Sequence, residues 1–182
     1  MPAIQRADHR TSTAPSPLAG AVRLLSAALP LAVLQPILDH VASHVASSRP
    51  ELFARLGPHT DKLYLIDPID LSLVLVLRPD AAHPHLKAYR RSETPRHDAA
   101  IAGTFFDLMD MIEGIQDGDA LFFSRDLRVG GDTEAVVALR NALDDVEGSA
   151  LDSVIDALGP ISRPAMLAIR ALRAFKRGKQ GG

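Results

Sequence analysis

The spacing of apolar residues predicts two helices near the start of the chain. Apolar residues recur at helical spacing from Leu18 to Leu29 and again from Leu31 to Ser47, and Pro30 separates the two segments. The second helix has an apolar face, which consists of Val33, Leu34, Ile37, Leu38, Val41 and Val45. The polar, proline-containing residues 1–17 ahead of these helices are typical of a disordered leader.

Further along the chain, the spacing of the apolar residues changes from the period of a helix to that of a strand. The segments Lys62–Ile66 and Leu71–Leu77 predict two short strands, and Asp67-Pro68 ends the first. The second strand is apolar at almost every position, so it must be covered on both faces. Helices can cover one face, and the other face needs further helix, a partner protein or a ligand.

Three more strands and four more helices follow. Strands are predicted at His85–Arg90, at Arg96–Ala102 and at Leu127–Val129. The helices are one that carries Phe105, Phe106, Leu108, Met109 and Ile112, one that begins at a cap formed by Asp132 or Thr133, and two at Ala150–Leu158 and Arg163–Phe175. This order predicts an α+β fold in which helices cover a sheet.

Composition narrows the classes of function. A chain of 182 residues forms one ordinary domain with appendages, and the absence of Cys removes thiolate chemistry and disulfides. A net charge of -2 and an aromatic content of 4% both disfavour nucleic acid as a partner. The densest apolar stretch, from Leu24 to Leu34, is too short to span a bilayer and contains Pro30. We therefore expect a cytoplasmic protein.

The sequence offers no catalytic constellation, and we predict neither a metal nor a cofactor. His40 and His44 are spaced like zinc ligands on a helix, but Val41 stands where a metalloprotease has Glu, so we interpret both as surface histidines. The turn from Gly130 to Thr133 lacks the Lys and the Gly spacing of a phosphate loop. We interpret it as a strand-to-helix turn with its cap.

Large apolar side chains form the most distinctive feature. The candidate lipid-binding residues are Leu73, Leu75, Phe105, Phe106, Met109, Phe122 and Phe123. Any one of them could be an ordinary core residue, and the pattern leaves open which face of the Leu71–Leu77 strand points to a ligand. A lipid chain that buries apolar surface at about 25 cal/mol per Å² needs no polar anchor for useful affinity.

The last predicted helix is basic on one face. Arg163, Arg170, Arg173 and Arg177 share that face, and no acidic residue follows Ser162. Two interpretations stay open. The helix contacts an anionic membrane surface, such as the inner membrane, or it is a solvated helix whose positive charges interact favourably with the dipole at its carboxyl end.

One segment carries a family resemblance. The run Asp119–Glu134 contains Leu-Phe-Phe, a short gap, a strand and Gly-Asp-Thr-Glu, and a helix follows through Leu139–Asp144. This run resembles the lipid-binding domains of the sterol carrier protein type 2 (SCP2) class, and most of all its UbiT-type subgroup of accessory factors for ubiquinone biosynthesis. The elements from Pro17 to Glu147 follow the same order, with Gln35 near the start of the second helix.

The resemblance implies a fold, a ligand and partners. The fold is a mostly antiparallel sheet of about five strands, covered by helices, with an apolar tunnel between them. The ligands are prenylated quinone precursors or phospholipids. The partners are hydroxylases of a protease-like family that carry iron–sulfur clusters and act without oxygen. We expect the leader at residues 1–17, the SCP2-like domain at 18–148, and a basic helical extension at 149–182.

Other functions are compatible with the pattern. A general carrier of phospholipids or acyl groups would bind many lipids without serving one pathway. A protein-interaction module would cover its remaining apolar surface with a partner chain and hold no lipid. An acyltransferase is the least supported alternative, because the sequence shows no acid–base pair and no phosphate cradle.

Overall fold

The first two described helices are joined at a proline. The computed structural model describes residues 30–80, 82–93, 95–113, 127–144, 150–163 and 167. Helix α1 (Leu31–Ser48) starts after the extended Pro30, and α2 (Pro50–Leu56) starts with its proline in the first turn, where the missing N–H costs nothing. A short 3₁₀ turn, Gly57–His59, follows α2. The sequence pattern predicted α1 but missed α2, because Pro50 at its start and Pro58 after its end suggested a loop.

Five strands form one sheet. They are β1 (Tyr64–Pro68), β2 (Leu73–Arg78), β3 (His85–Arg90), β4 (Ala99–Gly103) and β5 (Arg128–Gly131). The spatial order is β3-β2-β1-β4-β5. Three of the four pairings are antiparallel, whereas β1 and β4 run parallel with Tyr64 opposite Ala99. The α+β class and the mostly antiparallel sheet of the sequence analysis are confirmed.

Four strands begin later than predicted: β2 starts two residues late and β5 one residue late, and β1 and β4 start late for a shared reason. The backbone N–H of Leu63 donates to the carboxylate of Asp98 (2.8 Å), and the carbonyl of Leu63 accepts from the backbone N–H groups of Asp98 and Ala99. These bonds form a corner rather than a ladder, so β1 starts at Tyr64 and β4 starts at Ala99. An aspartate side chain that competes with the ladder leaves no trace in the apolar pattern.

Three more α-helices have both ends in the described part of the chain, one between β4 and β5 and two after β5. They are α3 (Phe105–Glu113), α4 (Thr133–Asp144) and α5 (Ala150–Leu158). Asp132 caps α4, since its carboxylate accepts the backbone N–H of Ala135 at 3.1 Å. The predicted cap and the predicted bounds of α5 are therefore confirmed. The predicted helix at residues 18–29 and the apolar run at residues 121–123 lie outside the described residues.

The core lies between the sheet and the helices. Tyr64, Ile101 and Val136 are fully buried there, on β1, β4 and α4. The core cluster also contains Leu52, Phe53 and Leu56 of α2, Leu108 and Met111 of α3, and Leu139 and Ala142 of α4. All of these helices cover the same face of the sheet, and the space between them and β2 is not filled.

Candidate functional site

A cavity of about 410 Å³ lies between the sheet and the helices. The sheet contributes Ile66 of β1, Leu73, Leu75 and Leu77 of β2, Leu86 of β3 and Ile101 of β4. The volume of the cavity lies within the range of about 300–1,000 Å³ that is typical of sites for small organic molecules.

Helices form the opposite wall. The lining residues are Ile37, Leu38, Val41, Ala42 and Val45 of α1; Leu52, Phe53 and Leu56 of α2; Phe105, Leu108, Met109, Met111 and Ile112 of α3; Leu139, Ala142 and Leu143 of α4; and Val154 and Leu158 of α5. Helix α5 lies within the predicted basic extension, and the structure places its apolar side chains on the wall of the cavity.

Every residue that lines the cavity, among those the structure describes, is apolar. Pro68, Leu71, Pro79 and Pro84 complete the lining at the strand ends. A cavity without hydrogen-bonding groups stays dry and binds apolar molecules, because water inside it would lose its partners. The described lining therefore favours hydrocarbon, and none of its side chains could act as an acid, a base or a nucleophile.

The structure shows which face of β2 lines the cavity. Leu73, Leu75 and Leu77 are on the lining, and the alternation of the strand turns Val74 and Val76 to the opposite face of the sheet. Both valines are buried. Because both faces of this strand are apolar, hydrophobicity alone could not have decided between them.

The other predicted lipid-binding residues have different positions. Phe105 and Met109 lie on the lining of the cavity. Phe106 does not, because the next residue of a helix points about 100° away; its ring meets that of Phe105 edge to face, with centroids 5.6 Å apart. Phe122 and Phe123 lie outside the described residues.

Two polar contacts fix the start of α3 and with it Phe105. The carboxylate of Asp70 accepts the backbone N–H of Phe105 at 2.8 Å. The carboxylate of Asp107 accepts the backbone N–H of Thr104 at 3.0 Å, and its own backbone N–H donates to the threonine hydroxyl. This reciprocal arrangement is a capping box with an aspartate in place of the usual Glu or Gln. Asp107 thus helps to cap α3.

The turn between β1 and β2 is held by Arg91. Its guanidinium donates to the carboxylate of Asp67 (2.6 Å), to the carbonyl of Pro68 (2.6 Å) and to the carbonyl of Leu71 (2.9 Å). Pro68 and Leu71 both line the cavity, so this arginine positions part of the wall. Nothing in the sequence predicted this role, since a single arginine after a strand carries no signal of its partners.

A second polar side chain that the sequence analysis left without a role holds α1 to the sheet. The amide of Gln35 donates to the carbonyl of Leu86 (3.0 Å), and its oxygen accepts the backbone N–H of Ala88 (3.2 Å). Strand β3 is at the edge of the sheet, so the amide occupies the place of a further strand. A lone Gln on an otherwise apolar helix face was the available signal.

The shifted pKa values lie away from the cavity lining. Burial, together with the carboxylates of Asp132, Asp61 and Asp98, raises the pKa of Tyr64 to about 12. The backbone N–H of Ala135, and then Lys62, holds the pKa of Asp132 below its usual range. Both shifts arise from packing and capping at the junction of β1, β4 and α4. Neither group lines the cavity, so neither provides chemistry there.

The structure describes little of the basic C-terminal segment. Arg163 is helical and exposed, whereas Arg170, Arg173 and Arg177 lie outside the described residues. No helix in the described part of the chain combines the length and the hydropathy needed to cross a membrane. Within the same residues, no group of three or more His, Asp or Glu side chains could hold a metal ion.

In the described part of the chain, helices cover one face of a mostly antiparallel sheet and enclose a hydrocarbon-lined cavity, an arrangement typical of small lipid-binding α+β domains. The particular family follows from the sequence: the chain belongs to the SCP-2 sterol transfer family, whose model matches residues 39–144. This match confirms the resemblance to the SCP2 class. No curated protein matches the sequence.

Solved structures of the same family are similar to the chain at low identity. UbiJ-SCP2, a ubiquinone synthesis protein, is 18% identical over 63% of this chain and 88% of that chain, with a TM-score of 0.45. Sterol carrier protein 2 from Yarrowia lipolytica in its apo form is 14% identical over 59% and 86%, with a TM-score of 0.43. The sterol carrier protein domain 2 of Helicoverpa armigera is 15% identical over 63% and 89%, with a TM-score of 0.41.

Proposed function

We propose that this protein is a non-catalytic lipid-binding accessory factor that holds the hydrocarbon chain of its ligand in the cavity. The observation that carries the proposal is the lining, which is apolar at every described position around about 410 Å³. Membership of the SCP-2 sterol transfer family supports the same function. Catalysis within the cavity would require an acid–base or nucleophilic group, and the described lining supplies none.

The lining also determines how a ligand binds. An isoprenoid or acyl chain gains about 25 cal/mol for each Å² of apolar surface that it buries. A polar head group that entered with the chain would lose its hydrogen bonds to water and find none to replace them. The head group therefore stays at an opening, where another protein can reach it. This arrangement suits a factor that presents a lipid to an enzyme.

The pathway is proposed from the sequence motif. The run from Asp119 to Glu134 and the helix through Leu139–Asp144 resemble UbiT-type factors of ubiquinone biosynthesis. The ligand proposed on this basis is a prenylated quinone precursor, with phospholipid as the second ligand. The proposed partners are hydroxylases of the protease-like family with iron–sulfur clusters, acting in the cytoplasm at the inner membrane without oxygen.

Gentle purification followed by native mass spectrometry and mass analysis of an organic extract tests the function. A stoichiometric prenylated quinone precursor would support both the cavity and the pathway. Phospholipid alone would support a general lipid carrier and argue against the pathway. Folded protein that contains no lipid and refuses added prenylphenols would contradict lipid binding and favour a protein-interaction module.

The basic segment is proposed as a contact with anionic membrane. Replacing Arg163, Arg170, Arg173 and Arg177 with Gln should weaken binding to liposomes that contain phosphatidylglycerol, at low salt, because each cation near such a surface contributes roughly 1 kcal/mol. Co-sedimentation measures the binding, and liposomes of phosphatidylcholine alone are the control. Equal sedimentation of the variant and the parent protein would remove the membrane role from this segment.

A further inference from the structure

We propose that the amino-terminal half of α1, from Leu31 to Asp39, is a lid through which lipid enters and leaves the cavity, and that Gln35 is its latch. The inference rests on the proposed function, because a lid has a purpose only if the cavity is filled and emptied. Four features of the described residues carry it: the contacts of Gln35, the position of Ile37 and Leu38, the sequence of α1, and the burial along α1.

The latch is the pair of hydrogen bonds between Gln35 and the edge strand. The side-chain amide of Gln35 satisfies the outward carbonyl of Leu86 and the outward N–H of Ala88 at the same time. A third bond, from the same amide nitrogen to the carboxylate of Asp39 (2.7 Å), orients the amide on its own helix. The amide is thus held in position for β3, and the start of α1 is closed against the sheet.

The lid covers the cavity directly. Ile37 and Leu38 lie within the next turn after Gln35 and line the cavity, as do Pro84 and Leu86 at the start of β3. Ile37 is also 37% exposed, so the wall at this position is a single side chain thick. Displacing the start of α1 from β3 would open the cavity to solvent or to a membrane.

The sequence of α1 weakens the helix at this point. Pro36 lies inside the helix and has no N–H, so the carbonyl of Ala32 lacks its usual partner four residues later. Proline within a helix is a common cause of bending. The amino-terminal half of α1 is therefore held by one helical hydrogen bond fewer than an uninterrupted helix would have.

Burial changes abruptly along the same helix. From Leu31 to His40 every side chain keeps part of its surface exposed, and Val33 is 58% exposed. Val41 and Ala42, which follow, are buried. Segments with few buried contacts open locally far more often than the whole domain unfolds. The part of α1 beyond His40 is the fixed part, and the part before it is the part that moves.

Lipid release from the full chain tests the latch. Protein loaded with cis-parinaric acid, a fluorescent fatty acid, is mixed with excess phosphatidylcholine vesicles that contain a nitroxide-labelled phospholipid. The nitroxide quenches the fatty acid that reaches the vesicles, so the loss of fluorescence, followed by stopped flow, reports release. We expect Gln35→Leu to release the lipid about tenfold faster, because the closed state loses two hydrogen bonds. Ser43→Ala, which removes the side-chain bond to the carbonyl of Asp39 further along α1, is the matched control and should leave the rate unchanged.

A second variant should change the rate in the opposite direction. Pro36→Ala restores an N–H that can complete the helix, so the lid should open less often and release should slow. Release that is equally fast in Gln35→Leu, Pro36→Ala and the parent protein would overturn the lid. If the parent protein takes up no fatty acid, the proposed function fails and the lid fails with it; uptake with an unchanged release rate overturns the lid alone.

Hydrogen exchange of the parent protein gives a test that needs no variant. The amide of Ala88 is protected by the oxygen of Gln35, so it exchanges when the latch opens. At a pH high enough for exchange from the open state to outpace reclosing, this amide exchanges at the rate of opening, and under these conditions it must exchange at least as fast as lipid leaves. An Ala88 amide that stays protected for longer than the lipid remains bound would show that lipid leaves by another route.

Discussion

At the scale of single residues, Gly131 determines how closely β5 approaches β4. Its φ is +71°, a backbone conformation that glycine adopts without penalty. A Cβ at this position would lie 2.2 Å from the carbonyl oxygen of Asp98. The same carbonyl accepts the backbone N–H of Asp132 at 2.9 Å, so the close approach places the residue that caps α4.

We expect Gly131→Ala to lower the free energy of unfolding by about 2 kcal/mol or more, because it combines an unfavourable φ with a steric clash against backbone. Gly130→Ala is the matched control. A Cβ at Gly130 would meet the Cβ of Ala100 at 3.8 Å, an ordinary contact, and the change should stay within about 1 kcal/mol. Urea denaturation of both variants measures the difference, and equal losses would contradict the argument from φ.

Tyr64 should make the domain sensitive to high pH. Its pKa is raised from 10.0 to about 12, mainly by burial. Folding therefore favours the neutral phenol; its contribution to stability is complete below pH 10 and is lost as the pH rises toward 12. The unfolding free energy of the parent protein should fall more steeply than that of Tyr64→Phe between these values. Parallel curves for the two proteins across this range would show that the pKa of the phenol is the same in the folded and the unfolded protein.

At the scale of helices and strands, the sequence predicted well those elements whose bounds follow from the spacing of apolar residues. Helix α5 and strand β3 have their predicted bounds, and α1 differs by one residue. Some of the errors fall where a local polar contact overrides the period. Asp98 shortens the starts of β1 and β4. Helix α2 was missed for a different reason: it has seven residues, starts at Pro50 and is followed by Gly57-Pro58, so it is too short for an amphipathic pattern to emerge.

The arrangement of the strands and of the site was less predictable. The parallel pairing of β1 with β4 joins segments that are far apart in sequence, and no local pattern encodes it. The candidate residues Leu73, Leu75, Phe105 and Met109 were predicted from their size and hydrophobicity, and they do line the cavity. Gln35 and Arg91 were not assigned positioning roles, because a polar residue with a backbone partner looks like any surface residue.

The cap of α4 gives a prediction at this scale. The pKa of Asp132 is lowered by the backbone N–H of Ala135 and by Lys62, so its contribution to stability is present above the ordinary value of 3.8 and is lost as the pH falls below it. Asp132→Asn keeps an acceptor for the cap but loses the charge near Lys62. The stability gap between parent and variant should be largest at pH 7 and should narrow as the pH falls below 3.8.

Urea unfolding at pH 7, 4 and 3 measures that gap, with Asp156→Asn as the control, since Asp156 is an exposed carboxylate on α5. A gap between the parent protein and Asp132→Asn that stays constant over this range would show that the cap acts through its hydrogen bond alone, without its charge.

At the scale of the whole molecule, the cavity results from how the helices share one face of the sheet. Helices α2, α3 and α4 pack into a continuous core with β1 and β4. On the side of β2 and β3 the helical cover comes from α1 and α5, and the space between remains open. A domain that leaves this volume unfilled gives up dispersion contacts, and a bound hydrocarbon chain restores them. Ligand binding and stability are therefore linked.

This link predicts that one substitution can remove most of the stabilisation by ligand while changing the ligand-free protein much less. Ala142 is 1% exposed and lines the cavity from α4. Ala142→Phe should lower the stability of the ligand-free protein by about 1–3 kcal/mol at most, because the ring displaces some packed atoms of the core but also enters the unfilled space. The parent protein should gain about 2.7 kcal/mol when cis-parinaric acid is present at 100 times its Kd.

The variant should gain much less at the same concentration, since the ring occupies the volume that the acyl chain needs. Ala54→Phe, at an exposed position of α2, is the matched control and should gain as much as the parent protein. Urea denaturation with and without the fatty acid measures both effects. An equal gain in Ala142→Phe would place the lipid outside the cavity, and the apolar lining would then have to be explained by a partner protein.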